Sequence, residues 1–147
     1  MKKLITIIAG LLIIPCLTVN AQGDVDMIKK VVETGYVHGA FNELNPEAMT
    51  KTFHEDFAIY SPKGEAISKY PIAQWVAGVE KRKNSAEFKA EDNVWDHKFN
   101  YVDVTGNSAQ VKLELHKDGK HVFTDYLSLS KFDSGWRIVA KVYHKHE

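Results

Sequence analysis

The reading turns on "TDYLSLSKFDSGWRIVAKVYHKHE", Thr124–Glu147. Two runs of alternating apolar and polar residues flank Asp133-Ser134-Gly135, a turn composition, so the stretch predicts a β-hairpin. One row of its first strand reads Phe123, Asp125, Leu127, Leu129. A carboxylate in a row that is otherwise apolar needs explaining, because a lone buried charge is costly unless it is paired or protonated.

A turn through Asp133–Gly135 with Phe132 opposite Arg137 sets Leu129 against Ala140, Leu127 against Val142 and Asp125 against His144. The buried row of the last strand is then Trp136, Ile138, Ala140, Val142 and His144. Thr124, Tyr126, Ser128, Ser130, Arg137, Lys141 and Tyr143 take the other face. The apolar pattern favours this register, since a slip of one residue mixes the rows; in a different register Asp125 would instead meet Lys141. The same logic gives the preceding hairpin a three-residue loop, Asp118–Lys120, with Leu115 against Phe123 and Leu113 against Asp125.

Upstream of the hairpin the strand pattern continues. Ala109, Val111, Leu113 and Leu115 alternate with Gln110, Lys112, Glu114 and His116, and "TGNS" turns this strand back onto Val94–Val104. Phe88–Glu91 reads as a short strand. Before residue 87 the period is helical. Asp24–Asn42 is a helix with Asp24 as N-cap and Ile28, Val31, Val32, Tyr36 and Ala40 on one face. Within it, Gly35 and Gly39 each cost about 1 kcal/mol relative to alanine. They either weaken the helix end or let another backbone come close. A short helix follows Asn45-Pro46, then a strand through Phe57 and Ile59, a loop over "SPKGEAISK", and a helix opened by Pro71 with Ile72, Trp75, Val76 and Val79 on one side. Three helices followed by an antiparallel meander predict an α+β domain, with the helices packed in the concave face of a curved sheet.

The first residues, "MKKLITIIAGLLIIPCLTVNA", carry the marks of a signal peptide: Lys2-Lys3, an apolar run from Leu4 to Leu17, and Val19-Asn20-Ala21 at small-residue spacing. The run is short for a membrane span of about 20 residues. We expect cleavage after Ala21, leaving 22–147 as one exported domain, periplasmic or extracellular, with no membrane attachment. Lys2 and Lys3 leave with the leader, so 17 of the 19 basic residues face 19 acidic ones. That balance gives no electrostatic reason to bind nucleic acid. The single cysteine, Cys16, is in the leader. The mature domain therefore has no disulfide, thiol nucleophile or thiolate metal site.

The pieces "YVHGAFNELNPEAMTKTFHEDF" (Tyr36–Phe57) and "DYLSLSKFDSGWRIVAKVYH" (Asp125–His144) resemble the nuclear transport factor 2-like superfamily, and within it the bacterial putative lumazine-binding family. The resemblance implies a cone-shaped α+β fold, a small-molecule ligand, and pairing through the outer sheet face. Ketosteroid isomerases share this cone and use a base aspartate with a tyrosine and a protonated aspartate. Here Leu127 stands near where the second aspartate would fall, which argues against that route.

Asp125 and His144 form either an acid/base dyad or a structural ion pair, and we read the ion pair first. Tyr36 sits on the apolar helix face with its hydroxyl at the pocket edge. His38 is expected to be exposed, and His54 to bond locally. His97 and Tyr101 belong to the odd row Trp95, His97, Phe99, Tyr101, taken as the pocket side. Trp75 and Trp136 are core residues or walls for a flat ligand. His144 and His146 are two apart and could share a metal, but a solvated tail is the simpler reading, so neither metal nor cofactor is assigned. These residues describe an exported, non-catalytic binder of a small hydrophobic or aromatic ligand, as a homodimer. The alternatives are a cofactor-free lyase or isomerase, or a ligand-free dimeric scaffold that uses Tyr126, Val139 and Tyr143.

Overall fold

The computed structural model describes residues 19–147. The leader expected over 1–21 lies, apart from its last three residues, outside the described residues. Among the described residues no helix is long and apolar enough to cross a membrane.

Helix α1 (Val19–Val31) continues without a break as a π-helix (Val32–Asn42). Ile28, Val32, Tyr36 and Ala40 recur every four residues and are all buried. The helix already runs from Val19, so Asp24 does not cap it. Instead Asp24 Oδ1 accepts from Trp136 Nε1 at 2.9 Å and from Lys131 Nζ at 2.8 Å. Gly35 marks a close approach: a Cβ there would stand 1.5 Å from Thr52 Oγ1 of helix α2 (Pro46–Thr52). Asn45 caps α2 by accepting from Ala48 N at 3.1 Å, with Pro46 following it. Helix α3 (Ile72–Lys83) starts after Pro71 and ends on Lys81, Arg82 and Lys83, the favourable charge for a C-terminus.

The sheet has six strands in the order β2-β1-β6-β5-β4-β3. These are β1 (Phe53–Lys63), β2 (Ala66–Pro71), β3 (Asp96–Thr105), β4 (Ser108–Lys117), β5 (Lys120–Phe132) and β6 (Gly135–Lys145). Neighbours are antiparallel except β1 and β6, which run parallel. The core lies between helices and sheet, with Ile28, Val32, Tyr36 and Met49 meeting Leu113, Leu115, Leu127 and Ile138. The α+β class and the three helices on a curved sheet agree with the sequence pattern. Two elements do not. The "SPKGEAISK" stretch is no loop but a hairpin into β2, with Gly64 at φ 60° in the turn. Phe88–Glu91 forms no strand, and a 3-10 turn covers Ala90–Asp92.

The register of the last hairpin also differs from the expected one. Phe132 pairs with Gly135 and not with Arg137, so only Asp133 and Ser134 form the turn. Leu129 then pairs with Ile138 while Ser128 pairs with Ala140, leaving Val139 as an extra residue on β6. A bulge of this kind moves every following side chain to the opposite face. Trp136 and Ile138 point inward as expected. Past the bulge Lys141 is buried, whereas Val142 is half exposed. Asp125 therefore pairs with Tyr143, and His144 pairs with Thr124 on the outer face. The expected Asp125–His144 pair does not form. The pairings Leu115–Phe123 and Leu113–Asp125 are as the sequence indicates, although the turn before them is the two residues Asp118-Gly119, with Val122 as the bulge.

A buried tyrosine–aspartate–lysine network and a neighbouring cleft

The partner of Asp125 is Lys141. Its Nζ lies 2.7 Å from Asp125 Oδ1, a buried ion pair. Tyr36 donates to Asp125 Oδ2 at 2.6 Å, and Lys141 Nζ also donates to the Tyr36 hydroxyl. Three elements build the network: the π-helix supplies Tyr36, β5 supplies Asp125, and β6 supplies Lys141 just past its bulge. Tyr36 and Asp125 are 0 % exposed and Lys141 is 4 % exposed, so the network is sealed from solvent.

Rings surround the ammonium. Tyr36 and Tyr143 lie 4.8 and 4.9 Å from Nζ, and Phe41, Trp75 and Phe123 each lie 5.8 Å away. Cation–π attraction at these distances replaces part of the lost hydration. Burial still pulls the Lys141 ammonium below its usual range, against the upward pull of Asp125. Burial also pushes the Tyr36 phenol well above its usual range, with the Asp125 carboxylate adding to it. The pairing of tyrosine with aspartate has the residue types of an isomerase oxyanion hole. Here, however, the aspartate is matched to a cation, where that site needs a protonated acid.

An open cleft of about 710 Å³ lies beside the network, between the end of α2, the start of β1, the start of α3 and the tip of the β5–β6 hairpin. Phe53, Ile72, Val76 and Phe132 give it apolar walls, and His54 and Arg137 are its nitrogen-bearing side chains. The His54 ring stacks on Phe132 with centroids 4.7 Å apart and planes 17° from parallel. Arg137 donates to Phe53 O at 3.3 Å and to Ser134 Oγ at 3.3 Å, and forms no salt bridge among the described residues. Phe53 joins the two places, since its ring also packs on Trp75 (5.6 Å) and Tyr36 (6.4 Å).

Of the residues singled out in the sequence, Tyr36, Trp75 and Asp125 come together at the network. His144 does not join them. Trp136 is buried 2.9 Å from Asp24, away from the network. His97 Nε2 meets Glu33 Oε1 at 3.5 Å on a different part of the helix. Tyr101 is 46 % exposed, because Asn100 bulges out of β3 and reverses the row beyond it. His38 is exposed, and His54 accepts from the Asp56 N–H at 3.1 Å, both as expected. The expected register puts Lys141 on the outer face, and only the alternative register carries a signal for it. Nothing in the sequence marked Arg137 as a cleft residue.

Three helices on a curved six-stranded sheet define a cone of the nuclear transport factor 2-like class. The chain belongs to the family described as putative lumazine-binding, whose model matches residues 23–144. A nuclear transport factor 2-like protein of unknown function from Silicibacter pomeroyi is similar at 22% identity over 85% of this chain and 98% of that one, with TM-score 0.66. One from Shewanella baltica is similar at 20% identity over 86% and 97%, with TM-score 0.67. A cystatin-like domain from Nostoc punctiforme has 12% identity over 86% and 80%, with TM-score 0.64. These likenesses show the fold alone. Among curated proteins none matches the chain.

Proposed function

We propose that this protein is an exported, non-catalytic binder of a small flat molecule, and that the ligand sits in the cleft at Arg137. The observation carrying the reading is the cleft itself. Its volume of about 710 Å³ is in the range of small-molecule sites, and it joins apolar walls to a few polar groups. The guanidinium of Arg137 forms no salt bridge among the described residues; its Nε bonds Ser134 Oγ and its Nη1 the Phe53 and Thr50 carbonyls, which leaves Nη2 for a carbonyl or anionic edge. The stacked His54–Phe132 pair offers a flat surface. A lumazine, a flat heterocycle with carbonyl edges, fits that description and matches the family's description.

Native mass spectrometry of the protein from its own cell envelope, then titration with a lumazine, tests this. We expect a bound small molecule in the wild type that is lost in Arg137→Ala and in the cleft-filling Val76→Trp. A wild type that is empty and does not take up the compound would sink the binding reading. Loss in Lys141→Met with retention in Arg137→Ala would move the site to the buried network. Export rests on the pattern of residues 1–21, and N-terminal sequencing of the envelope protein should begin at Gln22.

A second reading, a cofactor-free lyase or isomerase, is favoured by one observation: Tyr36 and Lys141, both displaced from their usual proton affinities, share a single carboxylate. It requires deuterium from solvent to enter the bound ligand, and that exchange to vanish in Lys141→Met. The homodimer enters the proposal through the outer sheet face, where Tyr126 and Val142 pair across the ladder and are 39% and 50% exposed. Light scattering on Val142→Glu reads it, and a wild type of monomer mass rejects it.

A further inference from the structure

At the end of the sheet away from the cleft, the outer face gathers four of the chain's seven histidines. Glu114 and His116 are two apart on β4, so both point outward. The turn at Asp118-Gly119 brings His121 directly opposite His116. Glu114, His116 and His121 each present a ligand atom, and these atoms lie within 4.8 Å of one another. The C-terminal strand adds His144 and His146. The His121 and His146 rings are 3.8 Å apart, and the His144 and His146 rings 4.7 Å apart.

We propose that this cluster is a binding site for a borderline divalent transition metal such as Zn²⁺, with Glu114, His116 and His121 as ligands and His146 in reach of the fourth position. Imidazoles with one carboxylate suit Zn²⁺, Cu²⁺ or Ni²⁺ and do not suit Ca²⁺ or Mg²⁺, which take oxygen ligands. Bonds of about 2.0–2.2 Å put the ligand atoms of a tetrahedral site roughly 3.3–3.5 Å apart. Small side-chain rotations close the observed spacing to that value.

The surroundings are those of a supported site. Asn100 Nδ2 donates to Glu114 Oε1 at 2.8 Å, leaving Oε2 toward His116 at 3.3 Å. The Thr124 hydroxyl lies 3.0 Å from His121 Nε2 and 2.9 Å from His146 Nε2, tying the two rings together. The main chain holds the C-terminal ligand in place, with His146 N donating to Val122 O at 2.9 Å. Such outer partners orient metal-binding rings. Lys98 Nζ, 3.8 Å from Glu114 Oε2 and largely exposed, is the cation that a metal would displace.

The test uses the tag-free chain, freed of metal by chelator, titrated with Co²⁺ under visible absorption and with Zn²⁺ by calorimetry. We expect one ion per chain, a tetrahedral Co²⁺ spectrum, and affinity lowered at least about 100-fold in His116→Ala/His121→Ala, since loss of outer partners alone costs about 10–100-fold. His38→Ala, remote from the cluster, controls for scattered surface binding and should bind as the wild type does. Circular dichroism confirms that each variant is folded. Absence of stoichiometric binding, or binding unchanged in the double variant, overturns the proposal.

Discussion

Asp125 and Lys141 form an ion pair 2.7 Å long although they are not partners in the strand ladder, where Asp125 faces Tyr143 and Lys141 faces Leu127. The diagonal contact exists because the bulge at Val139 turns Lys141 inward, into the ring of aromatic side chains around Tyr36.

Breaking that pair on one side should be costly. Lys141→Met leaves the Asp125 carboxylate buried with only Tyr36 as donor, and we expect a loss of about 3–5 kcal/mol in urea unfolding. Replacing both, as Asp125→Leu/Lys141→Met, should restore much of it, because no uncompensated charge remains. A double variant as unstable as the sum of its singles would show that the network stabilises by something other than charge pairing.

Alkaline pH should reveal Tyr36. Its folded pKa is raised, so its contribution to stability is complete below the unfolded value of about 10 and is lost as pH rises above that toward the folded value. Lys141 runs the other way. Its folded pKa is lowered, so its term increases stability as pH rises from the folded value toward about 10.4. The difference between wild type and Tyr36→Phe isolates the tyrosine. We expect it to be constant up to about pH 10 and to shrink above. A difference independent of pH would contradict the buried hydroxyl.

Gly35→Ala should be among the worst small substitutions in the chain. Its Cβ would overlap the Thr52 side chain, with Oγ1 at 1.5 Å and Cβ at 2.4 Å. We expect destabilisation at or beyond the upper end of the overpacking range of about 1–3 kcal/mol. Gly39→Ala, whose Cβ would meet the flexible Met49 side chain and the Thr34 carbonyl oxygen, each at 3.2 Å, should cost less. Thermal unfolding of the two variants compares them directly.

Acid should reveal Asp24. Its hydrogen bonds from Lys131 and Trp136 hold its carboxyl below the usual range, so its stabilising term is present above the ordinary carboxylate pKa and lost as pH falls through the folded one. Asp24→Ala should destabilise at neutral pH, shift the Trp136 emission, and differ progressively less from wild type in acid. A gap that widens in acid would reject this role.

The sequence by itself determined the α+β class, the α1 and α3 faces, the strand alternation and the oddity of Asp125. All of these follow from hydrophobic period and local turn chemistry. It did not determine which residue meets Asp125. Period-two reasoning propagates a row indefinitely, whereas each extra residue, at Asn100, Val122 and Val139, reverses the rows beyond it. One reversal exchanges His144 for Lys141 in the interior, and another turns Tyr101 outward. The cleft at Arg137 was invisible because its members come from segments far apart in the chain, and only the closing of the sheet over the helices makes them neighbours. The histidine cluster was missed beyond His144 and His146 because the expected three-residue loop sets His121 against Lys117, whereas the two-residue turn and the bulge at Val122 set it against His116.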